Sequence, residues 1–352
     1  MELMTDIRFK ASPRLVLLAA LVAARLAASD QTVLVVQEGL GKVVEFDAAK
    51  PSQRAEISVG SKPHEIALSA DGSTAYVSNF GLLEADHKVG TPGNTISVID
   101  VARGVEVRRF KISPSLLAAP HGLKLRPPAN EELYTNAESG DAMVIFDIAA
   151  GKVKRGFPLP AGVHNFIFSP NGLSLFAFST NGQVFRINAE DGRVEAKTDA
   201  VSPRGLAWTA DHSSLIVSGQ GELAFLDPAN LKLRNRFSNL GVHQIFYPAA
   251  SPDGRFILAP AVIDGVVLVL NANSGEVLRK ISTGSPLLSV FSADGHTAWI
   301  SNVLVPSTML PAGSEARPGG VVALNLDTFA VSPVPDLVDA NGLAISPIAR
   351  GR

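Results

Sequence analysis

The chain contains no cysteine among its 352 residues, which excludes disulfides, thiolate metal ligands and cysteine nucleophiles together. Any metal must be held by histidine, carboxylate, amide or backbone oxygen. Charge is sparse at 18% of residues and nearly balanced, 31 basic against 33 acidic. No run of basic residues interleaved with aromatics occurs, so the charge pattern argues against a nucleic-acid partner. Long apolar runs are lacking beyond the N-terminus, so no stable membrane span is expected. Two familiar chemical signatures are missing as well. The serine-containing segments VSGQGE and STNGQ have no nucleophile-elbow pattern, and GLGK at 39–42 lacks both the full phosphate-loop pattern and a following helix.

What is abundant is apolar residue, at 46%, a share expected where most strands are buried on both faces. At the N-terminus, Arg8, Lys10 and Arg14 precede the apolar run LVLLAALVAA. Ala27, Ala28 and Ser29 then offer a cleavage site before Asp30. This predicts an export signal over residues 1–29, and a periplasmic or secreted protein formed by residues 30–352. The run is too short for a comfortable span.

From there the chain repeats. Seven times a short apolar strand is followed by a turn and a second strand, as in KPHEIALSADG, APHGLKLRPPAN, GVHNFIFSPNG, SPRGLAWTADH, GVHQIFYPAASPDG, SPLLSVFSADG and DANGLAIS. The heads of these units are His64, His121, His164, Arg204, His243, Leu287 and Asn341, with steps of 43, 40 and 39 residues between His121, His164, Arg204 and His243. Periods near forty with four short strands per unit are the mark of propeller blades. In the first unit the strands are EIALS, TAYVSN, TISVIDV and VEVRRFKI. Tight turns recur at Asp71-Gly72, Asn171-Gly172, Asp253-Gly254 and Asp294-Gly295.

Six units are complete, and the seventh breaks off after NGLAIS. TVLVVQEG, KVVEFDAA and QRAEISVG, which precede the first unit, supply its missing strands. The prediction is an all-β, seven-bladed propeller with four antiparallel strands per blade. One C-terminal and three N-terminal strands complete blade seven, which leaves no open sheet edge at the join. The segments HEIALSADGSTAYVSN and SVFSADGHTAWISN resemble the repeat of the YVTN-type β-propellers, over about residues 30–352. That resemblance implies the fold and an exported protein. It implies no single activity, because fold does not fix function.

A ring brings equivalent positions to one axis. The residues heading strand A, the innermost of each blade, and those ending strand B should share the mouth of the central channel. This places His64, His121, His164 and His243 together as candidate ligands of a divalent transition metal, since neutral imidazole suits zinc, copper, iron and nickel. Arg204, Asn341, Glu38, Asn79, Asn136, Glu138 and Asn302 are candidate ligand-binding residues beside them, Arg204 pointing to carboxylate or phosphate. The two longest loops, residues 81–94 and 303–319, follow B strands on this same face, where binding is usually placed. Two functions follow as expectations. One is a protein that binds a small molecule, metal or protein partner at this face; the other is a metal-dependent hydrolase, lyase or oxidoreductase using the histidines. Asn341-Gly342 resembles the strand head of gluconolactonase-type propellers. The axial calcium implied by that resemblance wants acidic ligands where this chain has histidines. His87, His212 and His296 are expected in loops or turns without a part in the site.

Overall fold

The computed structural model describes residues 31–81, 90–113 and 118–348. Seven four-stranded antiparallel sheets form the ring. Among the described residues there is no α-helix, and no helix is long and apolar enough to cross a membrane. The export segment 1–29 and His87 lie outside the described residues.

Blade one is built from strands A to D at Pro63–Leu68, Thr74–Asn79, Thr95–Asp100 and Val105–Lys111. Blades two to six follow in chain order, with strand A at Pro120–Leu125, Val163–Phe168, Gly205–Trp208, Ala249–Ala250 and Pro286–Phe291. Blade seven joins the two ends of the chain: Ala340–Ser346 is strand A, and Thr32–Gln37, Lys42–Asp47 and Lys50–Ser58 are B, C and D. The closing pair is antiparallel, with Thr32 opposite Ser346, Val33 opposite Ile345 and Val35 opposite Leu343. Side chains lock its end, where Thr32 Oγ1 donates to the Ile348 carbonyl at 2.7 Å and Ser346 Oγ to that of Gly72 at 2.8 Å.

Every residue of Thr32–Gln37 is buried, and the strand period of two explains how one strand serves two cores. Val33 and Val35 point into a cluster with Trp299, Val321 and Val334 of blade six, where Phe46 meets Trp299 edge-on at a 5.4 Å centroid distance. Leu34 and Val36 point the other way, into a cluster with Ala75, Val77 and Ile99 of blade one. Sheets stacked on both sides need apolar residues at odd and even positions alike, which is why this strand reads as a continuous apolar run. Outermost strands reverse the pattern: in Val105–Lys111 only Phe110 is fully buried.

The A to B turns share one device. Ser69 Oγ donates to Asp71 Oδ1 at 2.6 Å, the Ser73 N–H donates to the same oxygen at 3.0 Å, and the Thr74 N–H donates to Ser69 Oγ at 3.0 Å. Thr209 with Asp211 and Ser251 with Asp253 repeat it at 2.7 Å each. Hydrogen bonds to the charged form hold these carboxyls down. The Ser69 hydroxyl draws Asp71 to about 2, and the Ser213 N–H does the same for Asp211. At Asp253 a partial burial that would raise the value is outweighed by the Ser251 hydroxyl, and it too falls to about 2.

Two outcomes are expected. Ending the chain at Asp339 removes the innermost strand of blade seven and bares the apolar inner face of Thr32–Gln37. Thermal unfolding followed by circular dichroism should lose its single cooperative transition, and an unchanged melt would show that the ring does not depend on this pairing. The turn aspartates, held at about 2 in the fold and near 4 when unfolded, stabilise fully above about pH 4 and lose that contribution as the pH falls toward 2. Denaturant midpoints should therefore fall across that window, with a shallower fall in a triple Asp71→Asn, Asp211→Asn, Asp253→Asn variant.

Candidate functional site

At the head of strand A five blades carry the same irregularity. The register with strand B slips between Pro63 and Ile66, Pro120 and Leu123, Val163 and Asn165, Pro286 and Leu288, and across Asn341-Gly342 opposite Val35 and Gln37. Each slip is a bulge, which bends the strand and re-aims a side chain. The bulged residues include His64, His121, His164, Leu287 and Asn341. Glycine follows the head in three blades because the chains crowd here. A Cβ at Gly122 would lie 2.5 Å from Asn165 Oδ1, at Gly205 2.6 Å from the Phe246 carbonyl, and at Gly342 2.7 Å from the His64 carbonyl.

The bulges place three imidazoles in a row. His64 and His121 have ring centroids 4.0 Å apart, and His121 and His164 are 4.2 Å apart. Phe80 stands edge-on to both His64 and His121, at 5.6 and 5.5 Å. His121 is 2% exposed. His164 Nδ1 lies 2.6 Å from Glu138 Oε1, and the Glu138 side chain is only 4% exposed. Ligand atoms of His121, Glu138 and His164 all lie within 4.8 Å of one another.

His243 does not join them. In blade five the head register is taken by Phe246, and strand A shrinks to Ala249–Ala250 because the segment before it is longer and carries Pro248, which has no N–H for the ladder. His243 lies upstream of that irregular stretch, 85% exposed. Its Nδ1 is 2.7 Å from Asp264 Oδ1 and its backbone N–H donates to Asp264 Oδ2 at 2.9 Å. His212 occupies an A to B turn with φ 56°, and His296 Nδ1 pairs with Asp327 at 2.8 Å, both away from the row.

The three B-strand asparagines lie at the expected height, but their amides are spent on the wall. Asn79 accepts from the Gly60 N–H at 2.9 Å and donates to Thr95 and Ser97, at 3.0 Å each. Asn302 accepts from the Ser285 N–H at 3.0 Å. Asn136 accepts from the Gly122 N–H at 2.8 Å and donates to the Val163 and His164 carbonyls, at 3.3 and 3.0 Å. A buried amide must be paired, and the nearest groups are backbone or, for Asn79, the hydroxyls of the adjoining strand. Asn136 thereby fixes the spacing of His121 and His164 instead of offering a ligand contact.

A cavity of about 990 Å³ opens at this mouth, with His64, His164, Glu38, Glu138, Arg204 and Asn341 in its lining. The blade-six loop forms part of its wall. Val305 and Leu310 pack with Val262 and Leu287, and Arg317 donates to the carbonyls of Val262, Ile263 and Gly284 at 3.1, 3.2 and 2.9 Å. The carboxylates of the mouth are engaged within the protein. Asn341 Nδ2 donates to Glu38 at 2.6 Å, Glu138 meets His164, and Asp339 accepts the backbone N–H groups of Gly39 at 2.7 Å and Leu304 at 3.1 Å. The cations are not. The Arg204 guanidinium donates to the adjacent Pro203 carbonyl, at 3.1 Å, and neither Arg204 nor Lys62, also in the lining, has a carboxylate partner among the described residues.

Below the mouth lies a second polar group that the sequence reading missed. Glu65 Oε2 meets Lys124 Nζ at 2.5 Å and accepts the Leu123 N–H at 3.0 Å. Asn165 Nδ2 donates to Glu65 Oε1 and, at 3.2 Å, to the Tyr247 hydroxyl. Burial would raise Glu65, yet the Lys124 ammonium, His64 and the Leu123 N–H together hold it below its ordinary value. Burial first, then the Glu65 charge, push the Tyr247 phenol well above its usual range. These residues border an inner cavity of about 160 Å³, with Tyr247 between it and the mouth. Glu65 and Asn165 each stand one place after a head histidine, so the register that isolates the histidines also carried their signal; Tyr247 follows Phe246, the head that only the structure reveals in blade five.

No family model matches the chain, and no curated protein proved similar to it. Solved structures share the ring. A functionally unknown protein from Desulfotomaculum acetoxidans superposes with a TM-score of 0.71 at 15% identity, covering 92% of this chain and 100% of that one. The hydrazine synthase of Kuenenia stuttgartiensis gives 0.66 at 18% identity, over 83% and 91%. A candidate 6-phosphogluconolactonase from Bacteroides fragilis gives 0.65 at 15%, over 90% and 98%. At such identities the likeness is one of fold.

Asn136→Ala should lower the unfolding free energy by about 3 kcal/mol, because it strands buried backbone groups on two blades. Urea denaturation measures this, and a change within error would show that water replaces the amide freely.

Proposed function

We propose that the protein is an exported propeller of the YVTN-type repeat family that binds a small organic anion, a carboxylate or a phosphate ester, at the mouth of its central channel. The observation that carries this reading is the imbalance of satisfied charge around the mouth. Glu38, Glu138 and Asp339 are each engaged by donors of the protein itself, whereas Arg204 and Lys62 face a cavity of about 990 Å³ without a carboxylate partner among the described residues. A guanidinium in a half-buried wall is suited to paired bonds with carboxylate or phosphate. The cavity is of the size that encloses a small molecule. Asn341 and the His64 and His164 rings add polar edges that orient it. Export rests on the basic, apolar and small-residue order of residues 1–29, and the mature N-terminus read by mass spectrometry should begin near Asp30.

Binding is tested by calorimetry and thermal shift with a panel of mono- and dicarboxylates and sugar phosphates. At least one should raise the melting temperature, and Arg204→Gln should weaken that anion by about tenfold or more, the worth of one charge-assisted pair. Lys62→Gln should weaken it less, since an ammonium acts as a point charge. A panel in which no anion binds, or binding that survives Arg204→Gln intact, would end this reading.

A further inference from the structure

We propose that His121, Glu138 and His164 form a centre for one divalent transition-metal ion at the side of the channel mouth. Their ligand atoms already lie within 4.8 Å of one another. Tetrahedral coordination with bonds of about 2.1 Å requires ligand atoms roughly 3.4 Å apart, so side-chain rotations closing the widest gap by an ångström or two complete the set. The 2.6 Å contact between His164 Nδ1 and Glu138 Oε1 is shorter than that spacing. A cation entering between the two would move them apart to the coordination spacing.

The donors come from rigid parts of the ring. His121 and His164 stand on the bulges of neighbouring A strands. Glu138 begins the single helical turn Glu138–Gly140 that follows strand B of blade two. Asn136 bonds the backbone of both histidine segments, and the His64 ring meets His121 edge-on at a 4.0 Å centroid distance. His121 and Glu138 are almost wholly buried, at 2% and 4% exposed, whereas the His164 side chain is 28% exposed and borders the mouth cavity. The centre is therefore closed on the protein side and open toward the cavity, the arrangement of a metal that keeps a position for an exogenous ligand. Two imidazoles and one carboxylate suit zinc, cobalt, nickel or ferrous iron; calcium and magnesium prefer oxygen donors alone. His64 is the next ring in the row and acts on the centre through His121. His243, paired with Asp264, has no part in it.

The test requires no knowledge of the anion and stands apart from it. Full-length mature protein, free of a histidine tag and stripped with chelator, is titrated with Zn²⁺ by calorimetry and with Co²⁺ by visible absorption. The expected result is one ion per chain, with a zinc Kd on the order of 1 µM or below and cobalt d–d bands of a low-coordinate nitrogen and oxygen site. Glu138→Gln keeps the shape and His164→Gln changes a partly exposed side chain, so both variants should fold, as checked by their melts. Each should weaken zinc by at least about tenfold, while His243→Ala stays within about twofold of the parent. Absence of stoichiometric binding to the folded protein overturns the proposal, as does zinc affinity unchanged by both Glu138→Gln and His164→Gln. Anion binding that persists in chelated protein would leave the mouth reading standing while the metal centre fell.

Discussion

The pairing of Ala340–Ser346 with Thr32–Gln37 is the constraint on which the rest of the molecule depends. Without it the chain is a series of hairpin pairs whose terminal sheets each expose an apolar face and an unpaired edge. With it, every blade has two neighbours, and each sheet must be apolar on both sides. The alternation of Val33 and Val35 toward Trp299, and of Leu34 and Val36 toward Val77, is that requirement written into one strand. It also accounts for a chain so rich in apolar residues and so poor in charge.

Closure has a second consequence, at the axis. Seven inner strands crowd around one channel, and their backbones come so close that side chains cannot stand at every position. Glycine at 122, 205 and 342 makes room, and Glu65, Asn165 and Tyr247 fill the space at the same level in other blades. A buried carboxylate there requires a counter-charge, and Lys124 supplies it. A bonded polar group therefore lines the channel below its mouth. Tyr247 belongs to both levels, lining the mouth cavity above and the inner cavity below.

The mouth takes its chemistry from the bulges. A regular strand would alternate its side chains between the two faces of the blade, and a head residue would turn into the packing between blades or away from the axis. The bulges turn His64, His121 and His164 into one row instead. Glu138 reaches the row from the following strand end. The asparagines at the ends of the B strands hold the strand heads in place, so they act on the site without facing it.

Much of this architecture is local and was legible in the sequence. The Asp-Gly and Asn-Gly turns, the period near forty, the division of blade seven between the chain ends and the shared register of the head residues all rest on interactions within a few residues, or on a repeat that announces itself. The tertiary structure decided which heads meet. His243 satisfies the sequence pattern, yet the longer segment before strand A of blade five puts Phe246 in its place and leaves the imidazole on Asp264. Asn79, Asn136 and Asn302 look like ligands in the sequence because their type and height are right. Their partners are backbone groups and, for Asn79, the Thr95 and Ser97 hydroxyls, whose positions exist only after neighbouring strands have docked. Side-chain direction at a bulge and the pairing of a buried polar atom depend on residues tens of positions away, and no local pattern encodes them. The sequence thus determined the ring and the face; the packed blades determined which side chains share it.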